Sequence, residues 1–502
     1  MVVGAWLFAS LWTLAHGGDE RPQFHFNFLQ DNGTDIVNDP NGPRYIDGLY
    51  HLFFQHRRLP SYTEIAHATS PDLLHWTMAP RAVLEPDELY DDAGVWSGNS
   101  FELPDGRVGM AYRARSSRAP TAAGVAVAVA DDGVAGNWTK RGVLFPKATC
   151  DALPVWRSKA GWRGGGVAVD GATPFATYSS ADFTNWTEDA RPLFDATRDA
   201  PNWPGMPCPD FFPVQGPSSP EPSNETTWVV KLSAGGKPVP PPDHVLLGSY
   251  DGAAVFTAES VAGAAKLYPV DYGTAFAGST MWDPVHARRI YMAWVGGKTN
   301  THVWPREFTV EDGAVRFRPI REALLLRTPN ASAAAAYAVD AVDATLVDGL
   351  QQLDVEATFA LADGRTWAEW SRGDNCSFGV RVQDDLQLIV ANRKGDEWSN
   401  ESRLEQEFQN GAAGSESYAA LALDGRGGPF VLPPRSATLA LRVLVDHALV
   451  EAFADGRASV TTFRDDYDAS ATKVSLFSTC ADVAAASGRA WEMASAPVVG
   501  PL

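Results

Sequence analysis

Apolar residues recur along this chain in short runs, not in long helical stripes. Gly124-Val125-Ala126-Val127-Ala128-Val129 is a continuous run of strand length, as expected of a strand covered on both faces. Near the C-terminus Leu439, Leu441, Val443 and Val445 alternate with Ala440, Arg442, Leu444 and Asp446, the period of two that turns one strand face inward. Leu449-Val450-Glu451-Ala452-Phe453 reads as the next strand, and Asp455-Gly456 as a hairpin turn. The last ~150 residues are therefore expected to form an antiparallel β-sandwich.

The first half carries a weak repeat. Asp72-Leu73-Leu74-His75-Trp76-Thr77 is echoed by Asp182-Phe183-Thr184-Asn185-Trp186-Thr187, and more loosely by Asp132 with Asn137-Trp138-Thr139. The tryptophans are 62 and 48 residues apart. Repeats of about 40–50 residues, each with several strands, suggest propeller blades. Pro/Ser-rich stretches at 216–224 and 238–243 read as surface loops. Arg327-Thr328-Pro329 and the Ala-rich stretch 331–336 mark a break between two domains. The expected division is a propeller over 18–327, a linker over 328–345 and a sandwich over 346–502.

Composition narrows the function. Among 502 residues, 41 are Lys or Arg and 61 are Asp or Glu, a net charge of −20 with no basic stripe, so nucleic-acid binding is not expected. Seventeen Trp, 35 Pro and 44 Gly suit many strands and tight turns. Four cysteines are too few for a disulfide scaffold. Residues 1–17 are apolar, free of Asp, Glu, Lys and Arg, and end Ala15-His16-Gly17, which reads as a cleaved signal peptide. No later segment is apolar enough to span a bilayer. Seven N-x-S/T sequons follow, at Asn32, Asn137, Asn185, Asn224, Asn330, Asn375 and Asn400. Leader and sequons together predict a glycosylated, secreted or vacuolar protein with no membrane partner after processing. No Cys/His cluster has metal-ligand spacing and no phosphate or dinucleotide loop occurs, so no metal or cofactor is expected.

Asn38-Asp39-Pro40-Asn41-Gly42-Pro43 is the sharpest local signal. Read alone, it is a turn that presents one carboxylate rigidly. Around it lie Phe24-His25-Phe26, Leu49-Tyr50-His51-Leu52-Phe53-Phe54-Gln55, and Gly94-Val95-Trp96-Ser97-Gly98. Further on come Pro209-Asp210-Phe211-Phe212-Pro213, Asp271-Tyr272-Gly273, Arg288-Arg289-Ile290, Trp304-Pro305-Arg306-Glu307-Phe308, and Val445-Asp446-His447 through Phe453. In that order these motifs resemble glycoside hydrolase family 32, the invertases and fructan hydrolases. The resemblance implies an all-β chain, a five-bladed β-propeller followed by a β-sandwich, with an active site in the axial funnel.

It also implies cleavage of the fructosyl bond of sucrose or fructans with retention. That chemistry uses two carboxyl groups about 5–5.5 Å apart, one a nucleophile and the other an acid/base. Asp39 matches the nucleophile and Asp151 the transition-state stabiliser of an Arg-Asp-Pro motif. Asn38, Gln55, Trp96, Ser97 and Asp271 match positions near the fructosyl pocket. The departures are specific. Cys150 and Ala152 stand where Arg and Pro are expected, and Pro207 stands where the acid/base Glu is expected. Proline carries no proton, so Asp210 and Glu221 are the candidate surrogates. Cys150 and Cys208 fall at equivalent positions on neighbouring blades. Two free buried thiols are expected there, with a bridge as the alternative, and Cys376 and Cys480 form a separate candidate pair in the sandwich. Two functions follow: a β-fructofuranosidase with weakened chemistry, or a non-catalytic protein that binds sucrose or fructan.

Overall fold

The computed structural model describes residues 20–28, 36–58, 62–131, 133–134, 136–145, 151–166, 175–194, 208–216, 226–233, 243–261, 264–296, 300–329, 335–338, 344–362, 365–373, 375–392, 418–434 and 436–500. The leader, residues 217–224 and 238–242 of the Pro/Ser-rich loops, Asp132, Cys150, Pro207, Glu221 and the sequons at Asn32, Asn224, Asn330 and Asn400 lie outside them.

Five antiparallel sheets follow one another through the first domain, each built mainly from consecutive strands. Blade 1 runs from Ile36–Pro40 through Leu49–Arg58 and Tyr62–Ser70 to Thr77–Met78. Blade 2 holds Gly94–Glu102, Val108–Arg115, Gly124–Ala130 and Trp138–Phe145, and blade 3 holds Val155–Ser158, Gly161–Gly166, Ala176–Ser180 and Thr187–Glu188. Blade 4 begins with Asp210–Pro213, Trp228–Ser233 and Asp243–Tyr250, and blade 5 with Ala275–Asp283, Arg288–Val295 and Arg306–Glu311. Separate apolar clusters fill the seams. Phe53 meets Met110 between blades 1 and 2, and Phe101 meets Trp162 between 2 and 3. Trp156 meets Phe211 between 3 and 4, and Phe212 meets Phe308 between 4 and 5. Leu52 meets Ile290 between 5 and 1, which closes the ring. Val125 to Ala130 are buried on both faces, as their unbroken apolar run predicts.

The Asp/Trp repeat is one turn used twice. In blade 1 Asp72 Oδ1 accepts from the backbone N–H groups of Leu74 and His75, and Trp76 Nε1 donates to Leu73 O at 3.1 Å. In blade 3 Asp182 Oδ1 accepts from Thr184 and Asn185, and Trp186 Nε1 donates to Phe183 O at 3.1 Å. Leu73 and Phe183 are both left-handed, at φ 67° and 65°. The looser third copy uses Asp131, which accepts from Thr139 Oγ1.

The C-terminal domain is two six-stranded antiparallel sheets around one apolar core. Thr438–Asp446 and Leu449–Ala454 are the alternating strands expected from sequence, and Asp455 and Gly456 turn at φ 51° and 65°. The linker expected over 328–345 needs correction. Ala335–Ala338 pairs with residues 485–488, and Ala344–Val347 with residues 474–476, so both belong to the sandwich. Small alanines hid this, because Ala has little strand preference of its own and pairing partners decide its state. Cys376 and Cys480 form a disulfide across 104 residues.

A buried charge cluster joins the domains. Arg306 of blade 5 donates to Asp271 Oδ2 at 2.8 Å and to Glu451 Oε2 at 2.5 Å. His25 lies 2.8 Å from Asp446 Oδ2 and 2.9 Å from Glu451 Oε1. Backbones meet here too, since a Cβ on Gly273 would fall 1.7 Å from Thr461 O. Burial alone would depress His25, but its hydrogen bonds to Asp446 and Glu451 outweigh that and raise it to about 9. The folded protein thus holds a proton that the unfolded chain releases near 6.5. The contribution of His25 is complete below that pH and is lost as pH rises through about 9. Its size is about 3 kcal/mol. His25→Gln should therefore lower the thermal midpoint at pH ~6 and converge on wild type near pH ~10. An equal loss at both pH values would mean that His25 acts by packing alone.

Candidate active site

The inner strands of the blades swerve where they reach the axis. In blade 1 the register with Leu49–Arg58 shifts between Val37 and Pro40. Asn38 and Asp39 therefore sit in a bulge, not in the turn that the Asn/Pro/Gly composition suggested. A bulge re-aims a side chain, and Pro40, which lacks an N–H, fits its edge. Gly42 follows at φ 72°, and a Cβ there would lie 2.2 Å from Ser100 N, so only glycine fits. Blade 2 shifts between Val95 and Gly98, which places Trp96 and Ser97 in the equivalent bulge. Ala152, Cys208 and Ala277 are left-handed at φ 55°, 51° and 55° and pack together at the axis.

These bulges bring the candidate residues together. Ser97 Oγ donates to Asp39 Oδ2 at 2.5 Å and lies 2.8 Å from Gln55 Oε1. Cys208 is a free thiol whose Sγ donates to the same Asp39 oxygen at 3.6 Å. Ala152 N donates to Ser97 O at 3.0 Å, which ties the backbone that follows Asp151 to the blade 2 bulge. Asn38 O accepts from His302 Nε2 at 2.5 Å. Three buried polar atoms here, Asn38 Oδ1, Trp96 Nε1 and Asp151 Oδ1, have no protein partner among the described residues. Hydroxyl groups of a sugar would satisfy them.

The electrostatics separate the groups. Burial pushes Asp39 up to about 6; the Ser97 hydrogen bond opposes this, the nearby Asp151 charge adds to it, and Cys208 and Lys231 draw it down. Burial also raises Asp151, and Arg113 and Arg115 pull it back. With its acidity shifted to about 6, Asp39 is mostly ionised near neutral pH. The Cys208 thiol is raised by burial and by the two carboxylates, so it stays protonated and keeps donating to Asp39.

Asp271 is not brought to this cluster. Its carboxylate accepts from Gly273 N, Thr461 N, Thr461 Oγ1 and Arg306 at the interdomain junction. Asp210 lies nearer the axis, but it accepts from Thr280 N and Oγ1 of blade 5 and from Asn99 of blade 2. Those contacts tie three blades together. Sequence reasoning did not single out Lys231, whose Nζ donates to Cys208 O at 2.6 Å and lies 3.2 Å from Asp243. A lone lysine within Trp228-Val229-Val230-Lys231-Leu232 was the available signal, since a charge in a fully buried strand needs partners.

Residues 31–316 match the glycosyl hydrolases family 32 N-terminal domain, and residues 324–492 match the glycosyl hydrolases family 32 C terminal. The chain belongs to glycosyl hydrolase family 32. It is 30% identical to beta-fructofuranosidase 1 of Zea mays, over 97% of this chain and 81% of that protein. It is 31% identical to sucrose:sucrose 1-fructosyltransferase of Festuca arundinacea, over 90% and 76%. Among solved structures, fructan 1-exohydrolase IIa of Cichorium intybus shares the fold with a TM-score of 0.71 at 20% identity, covering 97% of this chain and 100% of that one.

Proposed function

We propose that the protein is a β-fructofuranosidase-type glycoside hydrolase that attacks the fructosyl bond of sucrose or a fructan by the retaining route. The carrying observation is Asp39, buried, aimed to the axis by its bulge and held by Ser97 and Cys208. Asp39 is the nucleophile. Asp151 stabilises the positive charge that develops on the ring, and Asn38, Gln55, Trp96 and Ser97 hold the fructosyl hydroxyls. Protonation of the leaving oxygen is the weak step, because Pro207 supplies no acid. Pro207 also supports a second reading, a protein that binds fructosides without cleaving them.

A secreted or vacuolar site of action fits the apolar leader, the Cys376–Cys480 disulfide and the exposed sequons at Asn137, Asn185 and Asn375. Among the described residues no helix is long and apolar enough to cross a membrane.

Fructose release from sucrose or inulin by the purified protein tests the assignment, read as a pH profile. With Asp39 as a nucleophile that must be ionised to attack, turnover should rise as pH passes about 6. Without a protein acid, it should show no falling limb up to pH ~8. A bell-shaped profile would place a working acid in the site. Fructan binding with no release at any pH would favour the second reading.

A further inference from the structure

Lys231 sits in Trp228–Ser233, the second strand of blade 4, whose residues are all buried, and is itself 0% exposed. An ammonium group carries three donors, and a fully buried one must place them. Lys231 Nζ donates to Cys208 O at 2.6 Å and to Ser233 Oγ at 3.2 Å, and lies 3.2 Å from Asp243 Oδ2. That carboxylate oxygen also accepts from Gly278 N at 2.6 Å and from the Tyr291 hydroxyl at 2.9 Å, so the ammonium is fixed against blade 5 as well. Cys208 is left-handed at φ 51°, a conformation that a residue with a Cβ keeps only when its surroundings impose it. The pairing of this segment with the Lys231 strand begins two residues later, at Asp210 opposite Lys231. The Cys208 thiol is the group that meets Asp39, with Sγ donating to Oδ2 at 3.6 Å.

We propose that Lys231 is a positioning residue for Asp39 that acts through Cys208: by holding the Cys208 carbonyl it fixes the left-handed bend that seats the thiol on the Asp39 carboxylate. The role of Asp39 as nucleophile rests on the fructosidase reading; the chain of contacts from Lys231 through Cys208 to Asp39 does not.

Groups from every side of the axis face Asp39. Ser97 of blade 2 donates to it, and Asp151, ahead of blade 3, adds negative charge. Cys208 and Lys231 belong to blade 4, and His302 of blade 5 donates to the carbonyl of neighbouring Asn38. Of these contacts only the thiol is carried on the Cys208 backbone. If Lys231 acted on Asp39 by charge alone, its effect would persist without the thiol. If it acts through the bend, the effect disappears with the thiol.

The test is a double-mutant cycle on the full chain. One arm is Lys231→Met with Asp243→Asn, which removes both charges of the buried pair so that neither is left alone. The other arm is Cys208→Ala, and a further protein carries all three changes. The readout is the pH at which Asp39 titrates, obtained from unfolding by denaturant between pH ~4 and pH ~8 for each protein against the same protein with Asp39→Asn. It requires no turnover. Loss of the thiol's hydrogen bond should raise that pH by about half a unit to one unit in either arm, and the three changes together should raise it no further. Lys231→Gln with Asp243→Asn keeps an uncharged donor for the Cys208 carbonyl and should leave Asp39 near its wild-type value; it decides the matter if the methionine variant does not fold. Equal upward shifts on loss of Lys231 with and without the Cys208 thiol would mean that its charge acts directly, and no shift in the Lys231 arm would reduce it to a partner of Asp243. Either result overturns the proposal. If turnover is found, its rising limb should move by the same shifts. A protein without turnover would sink the fructosidase reading and leave the cycle to decide this one.

Discussion

Asp39→Asn is expected to lose fructoside turnover by about 10⁴-fold or more while gaining stability near neutral pH. The loss follows because an amide does not form the covalent glycosyl intermediate. The gain follows from burial. Asp39 is raised from 3.8 to about 6, so the folded protein holds its proton to a higher pH than the unfolded chain does. Stability therefore falls as pH rises from about 4 to about 6, and the penalty is complete above that. Removing it should stabilise the variant by about 2–3 kcal/mol at pH ~7.5 and by little at pH ~4. Thermal midpoints at the two pH values check this. Retained turnover, or a gap between variant and wild type that does not change with pH, would contradict the role given to Asp39.

Pro207→Glu is expected to raise sucrose turnover by about 10²–10⁴-fold, the usual contribution of a positioned acid/base. Its effect should be small on a fructoside whose leaving group departs without a proton. Proline also fixes φ and removes a backbone donor, which the substitution reverses. Cys208, the next residue, is itself held, since its thiol meets Asp39 and its carbonyl meets Lys231. Steady-state rates on sucrose for Pro207→Glu against wild type are the check. No gain on sucrose from a folded variant would mean that the missing proton donor is not the limiting defect.

Local signals carried much of the fold. The Asp/Trp turn was legible because all its hydrogen bonds close within a few residues, and the sandwich strands because period-two alternation survives burial of one face. The Asn38 to Pro43 motif was legible as a site but not as a bulge, because its register depends on Phe54 to Arg57 across the sheet. Asp271 was drawn toward the pocket by its motif, although its partners Arg306 and Thr461 lie 35 and 190 residues away. Lys231 went unread for the same reason. Its meaning lies in the Cys208 carbonyl and the Asp243 carboxylate that the fold places beside it, and sequence spacing does not encode that.

Turnover of sucrose, set beside turnover of a β-fructoside with a good leaving group, tests the central claim most directly: Asp39 attacks in a site that has lost its acid. The activated fructoside is expected to react about 10²–10⁴ times faster, with both rates abolished in Asp39→Asn. Equal rates on the two substrates, both dependent on Asp39, would contradict it and show that another group of this protein delivers the proton.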